Sequence, residues 1–508
     1  MIIRSHDTTH FGVFAATGAG KGVGSVIPLL RSYAGSTVNV DPKGENHRLT
    51  AEHRQTRFGH RTVQLAPFSG VSDAMNPFYF LDPKSPLLLD KCRDLSNMLI
   101  FRKGSETDPH WNDRAEGVWS VFSYYVAACE TDPSRRNLLS VRAIVRSLDA
   151  YTASLHVMKQ HGGMLKDQAD SLASLRDREL GSVLSTLDRQ TAWMDSPPVA
   201  ACLKRCTFDP LDLRSGKLDV YLTLPPERLE RLAPLMRLWL GTMLGRLIDG
   251  EAGERQPVLF LVDEAAHLGR MQILEDAITL LRGYGIRIGL YFQSINQLQK
   301  CYGDNAATVL DNLGTQVYFG ISNAFETAEA ISKRIGDCTI LQRSINDTKG
   351  HSRSTGTTGQ GETGNASSSV SVTTSEMQRR WAKAEEIMTL PDDLALVFHR
   401  NLPVIPVKLC KYYASPAFRG SRSGEDAGLG LAAGVMAALL LAVSLVLSGV
   451  VACLPCPAYP ATRVPALPAA SLPPADALRR TGVRPPLPSR SPRRDRLPSR
   501  SGFLVPIR

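Results

Sequence analysis

The chain has 508 residues, 43% of them apolar, enough for two or three domains with real cores. Its net charge is +10, but Arg419–Arg508 holds 12 Arg, no Lys and 4 acids, so +8 lies there and the first 418 residues stand near neutral at +2. That distribution excludes a uniformly basic nucleic-acid-coating body and leaves any DNA contact to local patches.

Phe11–Ala16 is a short apolar run that reads as a buried strand. It ends in Thr17-Gly18-Ala19-Gly20-Lys21-Gly22, and a helical pattern follows. Strand, Gly-rich loop with a lysine, then helix is the layout of a phosphate-binding loop. Glycines let backbone N–H groups turn inward around phosphate oxygens, the helix N-terminus adds positive potential, and Lys21 supplies a mobile charge. The strict pattern has Gly where this chain has Ala15, and Ser or Thr where it has Gly22. The second change removes a hydroxyl that ordinarily ligates Mg²⁺.

Val23–Tyr33 is predicted as a helix kinked by Pro28, and Ser36–Val40 as the next strand, ending in Asp41-Pro42-Lys43-Gly44-Glu45. Charged residues at the carboxyl end of a parallel strand sit where open α/β sheets bind ligands. Thr62–Leu65 is a third short strand. From Leu87 to Cys206 strand signals vanish and helical patterns take over, as in Trp111–Cys129 and Ala169–Met194. His110 and Trp111 open one such helix and read as cap and core. Cys202 and Cys206 read as core on a helix, and Cys453-x-x-Cys456 lacks the βαβ context of a redox pair. This cysteine usage suits a reducing cytoplasm, and the polar Met1–His10 is not a signal peptide.

Leu218–Leu224 returns to strand character, and Glu227–Gly250 is predicted as a helix on the sheet. Val258–Val262 is then a strand buried on both faces that delivers Asp263 and Glu264 at its carboxyl end. In a phosphate-loop ATPase the first carboxylate holds Mg²⁺ through water and the second polarises the attacking water. Arg287–Phe292 is a further strand, and Gln293 at its end is placed to sense a γ-phosphate. Val317–Gly320 is another strand and Asn323–Ile335 a helix; Ser344–Ser375, rich in Ser, Thr and Gly, reads as a mobile loop. Order returns with Arg379–Leu390 and the strand Ala395–Phe398, and the folded body closes near Tyr413. Ala427–Leu454 runs 28 residues without a charge, long enough to span a membrane. Lys408, Lys411, Arg419 and Arg422 before it, against Arg463 just after, favour a cytoplasmic body, while the more distant arginines argue the other way. Ala458–Arg508 is Pro-, Arg- and Ser-rich and reads as a disordered tail.

Taken together, TGAGKGVGSVIPLL, VDPKGE, WNDRAEGVW, LFLVDEAAHLG, RGYGIRIGLYFQS and KAEEIMTLPDDLALVF stand in an order that resembles the coupling-protein ATPases of type IV secretion and conjugation, the TraG/TraD-like family. The resemblance covers about Phe11–Tyr413, and that family's loop often carries Gly after the lysine. It implies an α/β, RecA-like, doubly wound phosphate-loop ATPase domain (1–86 and 207–418) with an inserted all-α domain (87–206). A candidate transmembrane segment with its flanks (419–457) and the tail (458–508) follow. It further implies ATP and Mg²⁺ as cofactors, with Thr17, Gly18, Ala19, Gly20, Lys21 and Gly22 on the phosphates and Asp263 on the metal. Glu264 would activate water, Gln293 would sense the γ-phosphate, and Arg282, or failing that Arg287, would reach a neighbour's site as an arginine finger. The partners implied are single-stranded DNA with its relaxase, or effector proteins, together with secretion-channel components, the bacterial inner membrane and a homo-hexameric ring. Coupling proteins usually carry transmembrane helices before the loop, whereas here it begins within 17 residues of Met1. A truncated relative that docks substrates without turning over ATP is therefore the competing expectation.

Overall fold

Residues 10–100, 102, 110–250, 257–354 and 363–414 are described by the computed structural model, and all fall in one compact unit, Ile3–Gly428. The apolar runs form one sheet from β1 (His10–Ala15), β2 (Thr37–Val40), β3 (Arg61–Leu65), β4 (Leu218–Leu222), β5 (Val258–Val262), β6 (Ile286–Phe292) and β7 (Leu313–Phe319). A separate ribbon, β8 (Asp337–Ser354) and β9 (Thr363–Arg380), follows, and then β10 (Leu394–His399) and β11 (Ile405–Lys408) return to the sheet. The order is β11-β10-β7-β1-β6-β5-β2-β4-β3, parallel from β7 to β3 with an antiparallel edge of β10 and β11. β6 thus lies between β1 and β5, so Ala15, Gln293 and Asp263 leave neighbouring strands at the same edge. The Phe14 ring stacks on Phe292 and Tyr318, with centroids 5.9 and 4.9 Å apart, and fixes β1 between its two neighbours.

Helices cover both faces. On one, Val26 and Leu30 pack on Val13, Ala15, Leu259 and Leu261. The predicted helix after the loop is a π-type turn, Gly22–Val26, followed by α1 (Ile27–Ser32). Ile27 N–H donates to Gly22 O, an i→i+5 bond. The turn falls just before Pro28, which sits in the first turn of α1, where a missing N–H does least harm.

Beside α1 lies α2 (Glu45–Phe58), a helix the sequence pattern did not announce, because the residues it buries include Asn46, Thr50 and Arg54. Arg54 is fully buried; its Nε donates to Asp219 Oδ2 at 2.7 Å, and its Nη groups to the carbonyls of Leu30, Tyr33 and Gly35. His60 Nδ1 stands 2.8 Å from the same Asp219 oxygen, while Thr37 N and Oγ1 donate to the other at 3.1 and 2.7 Å. Burial alone would raise the Asp219 carboxyl, but the hydrogen bonds from His60 and Arg54 and the Arg54 charge hold it below the usual range.

The other face carries the larger core. Between β3 and β4 the described chain is helical: α3 (Leu88–Leu99), α4 (His110–Cys129), α5 (Leu138–Arg146), α6 (Leu148–His161), α7 (Gly163–Ala173), α8 (Asp177–Thr191) and α9 (Pro197–Lys204). The helical pattern read over Ala169–Met194 is divided, with Arg176 extended between α7 and α8. Trp111 is 36% exposed, edge-on to His110, so its assignment to the core does not hold. Helix α10 (Leu229–Asp249) is buried along most of its length, with Trp239 fully enclosed. Then come α11 (Gln272–Leu280), α12 (Ile295–Tyr302), α13 (Ala306–Asn312), α14 (Phe325–Ile335) and α15 (Ala384–Met388).

Of the segment expected to be a mobile loop, 344–354 and 363–375 instead belong to the β8–β9 ribbon, paired without a break from Asp337↔Arg380 to Ser354↔Thr363, and 355–362 lie outside the described residues. Within the ribbon Ser369-Val370-Ser371-Val372-Thr373 alternates at period two, a strand pattern that composition conceals. Among the described residues no helix is long and apolar enough to cross a membrane; Ala427–Leu454 and the 458–508 tail lie outside them.

Candidate nucleotide site

At the carboxyl edge the chain leaves β1 through a loop whose Gly18 and Gly20 hold φ of +81° and +90°. Gly20 meets that need because a β-carbon there would be strained. The loop also needs Gly320 at the end of β7, where a β-carbon would collide with that of Ala19. Lys21 is 8% exposed; its Nζ donates to Ala15 O at 3.0 Å and lies 3.6 Å from Glu264 Oε1.

Asp263 and Glu264 follow β5 directly. Glu264 adopts φ +52°, ψ +47°, a left-handed conformation costly for a residue with a side chain. Gln293 Nε2 donates to Glu264 Oε2 at 3.1 Å, and Gln297 Oε1 in turn accepts from Gln293 N at 2.8 Å. Burial, then the Glu264 charge, pushes the Asp263 carboxyl up to about 6, against the Lys21 charge and the Glu264 amide. Asp41, one strand over at the end of β2, adds to that push. It is itself 2% exposed, raised by burial, and accepts from His47 N at 2.8 Å at the start of α2.

The arrangement therefore gathers Lys21, Asp263, Glu264 and Gln293 at one edge, with the loop glycines beside them. It holds more carboxylate than its one lysine offsets, which is what a phosphate-bound dication would relieve. Mg²⁺ ordinarily takes one or two carboxylates plus phosphates and waters. The donors present fit that habit, and among the described residues no cluster of three or more His, Cys, Asp or Glu forms a protein cage. Arg282 does not join the cluster: its backbone lies in the Leu281–Tyr284 turn, which enters β6 at the opposite end from Gln293. Arg287 is also at that far end, near Tyr33. Sequence reasoning gave no role to Gln297 or Gly320. It noted Asp41 only as a charge at a strand end.

The sequence profile of the family described as "Type IV secretory system Conjugative DNA transfer" matches residues 2–427. Protein VirD4 of Agrobacterium fabrum is 28% identical over 424 residues, covering 81% of this chain and 59% of the relative. The conjugal transfer protein TraG of Escherichia coli is 27% identical over 413 residues, covering 77% and 63%. The chain thus spans about three fifths of the length of these relatives. Among solved structures, the plasmid coupling protein TrwB in complex with ADP and Mg²⁺ superposes with a TM-score of 0.57 at 19% identity, covering 80% of this chain and 86% of that one. TrwB with the ATP analogue ADPNP gives 0.58 over the same shares. Those likenesses establish the RecA-like α/β fold, and the profile match settles kinship: this chain belongs to the type IV secretion coupling-protein family of conjugative DNA transfer.

Proposed function

We propose that this chain is an ATP-hydrolysing motor that recruits single-stranded DNA with its relaxase, or effector proteins, to a type IV secretion channel. The observation that carries the reading is the convergence of Lys21, Glu264 and Gln293 within hydrogen-bond or ion-pair reach beside Asp263. Thr17 to Gly22 would wrap the phosphates with backbone N–H groups, and Lys21 would exchange its Glu264 contact for a phosphate oxygen. Asp263 would hold Mg²⁺, which when bound neutralises charge on the β- and γ-phosphates. Glu264, freed from Lys21, would take a proton from the attacking water, and Gln293 would sense the γ-phosphate. Arg282 would act on the site of a neighbouring copy in a homo-hexameric ring, since its own site lies at the other end of β6. The helices between β3 and β4 would recognise cargo. The body would face the cytoplasm at the inner membrane, and Ala427–Leu454 would supply an anchor.

The test is ATP turnover of the purified chain in detergent, with and without single-stranded DNA, beside Glu264→Gln. DNA-stimulated hydrolysis that disappears in the variant supports the motor. Nucleotide binding without turnover in either protein defeats it.

A further inference from the structure

β8 and β9 each run 18 residues, about 60 Å at ~3.4 Å per residue, and no third strand joins them among the described residues. A two-stranded ribbon alone in water is marginal, and its edges and apolar side chains invite a partner. Odd-numbered residues of β8 share a face with even-numbered residues of β9. That face presents Leu341, Ile345, Val370 and Val372, exposed at 71, 65, 64 and 49%. Over Gln342–Thr348 the opposite face carries only hydroxyl and amide side chains, which water satisfies. The ribbon has no Phe, Tyr or Trp on which a nucleic-acid base could stack, so its apolar face suits protein.

The charges on this face say which protein. Ile345 and Val372 share one rung. On the same face Arg343 is one step to one side and Asp347 one step to the other; Glu376 and Lys349 lie two steps out in the same opposite senses. A two-fold axis across the strands at the Ile345–Val372 rung therefore lays Arg343 of one copy over Asp347 of the other. It also lays the Lys349 stem over Leu341, with its ammonium beside Glu376, while Ile345 and Val372 each meet their own counterparts. Stacked sheets sit ~10 Å apart, a gap that these side chains bridge. The other two-fold, along the ribbon, sets Leu341 against Glu376 and Asp347 against Val370, so it matches no charge. Of the two, only the first sets Arg343, Asp347, Lys349 and Glu376 each beside an opposite charge.

We propose that this face is a self-docking surface: the ribbons of two copies stack face to face with strands reversed, centred on Ile345 and Val372. Such a contact is isologous and closes on a pair, whereas a ring is built from head-to-tail contacts. It is thus a second self-interface, independent of the motor reading.

The experiment follows self-association of the full chain in detergent by sedimentation velocity, for wild type, Arg343→Asp, Asp347→Arg and the double reversal. Retained binding of a fluorescent ATP analogue shows that each is folded. Each single reversal sets like charges together twice per pair, so association should weaken at least about tenfold, and the double should recover to within about threefold of wild type. A short bis-maleimide should join Ile345→Cys to its own counterpart but not Ser344→Cys, above the wild-type background. Singles that associate like wild type, or a double no better than the singles, overturn the proposal. A different protein on this face would give the first of those results.

Discussion

The two ends of the central strands each hold a buried ionic cluster, and they are built to opposite specifications. At the amino end, Asp219 has both oxygens occupied by Arg54, His60 and Thr37, and its carboxyl is held down. At the carboxyl end, Asp263 is pushed up to about 6 and Glu264 sits in a left-handed conformation beside one lysine. Burial acts on both clusters alike. What differs is the supply of partners: three side chains serve Asp219, while Lys21 alone stands against Asp263, Glu264 and Asp41. In these two clusters the direction of the carboxyl's shift follows how fully the chain's own donors and cations match it.

That contrast can be broken from either end. The largest expected effect is on chemistry: Glu264→Gln should cut ATP turnover by roughly 10²–10⁴ while leaving the thermal midpoint no lower than wild type. Next, Arg54→Met strands a buried carboxylate and should cost ~3–5 kcal/mol of stability in urea titrations. A loss under 1 kcal/mol would mean the amino-end cluster is not the finished one described. Third, Asp263→Asn should stabilise the ligand-free protein by ~1–3 kcal/mol, since it removes a carboxylate that folding disfavours, and should abolish Mg²⁺-dependent nucleotide binding.

The smallest effect sharpens the comparison through pH. Because the folded Asp263 value lies above its ordinary 3.8, the folded state binds the extra proton between about 4 and 6. Its contribution to stability therefore falls as pH rises through that window and is flat above it. Asp219, held low, contributes fully above its unfolded value, and that contribution falls as pH drops through the folded one. The stability gap between Asp263→Asn and wild type should accordingly open between pH 4 and 6, and a gap constant with pH would contradict the assigned direction.

Much of the sheet was legible because its strands are buried on both faces: Val258–Val262 was read to the residue, and β1 and β6 to within one. The four converging side chains were legible because motif and strand end coincide. Helix α2 was not, since Arg54, Thr50 and Asn46 replace the apolar stripe that announces a helix. The ribbon was misread because Ser and Thr count as loop residues in composition but as strand residues when they alternate. Gly320 was out of reach, since only the pairing of β7 with β1 brings it against Ala19.

Arg54 has one more consequence. Two of the carbonyls it grips, Leu30 and Tyr33, close the helix that starts at the phosphate loop, while its own backbone belongs to α2. The α1 cylinder therefore cannot slide along its axis without either snapping those bonds or dragging α2 with it. Lys21 is thereby tied through α1 and α2 to Asp219 on β4, a drive shaft whose coupling pins are the Arg54 guanidinium and the His53 ring at the Arg31 carbonyl.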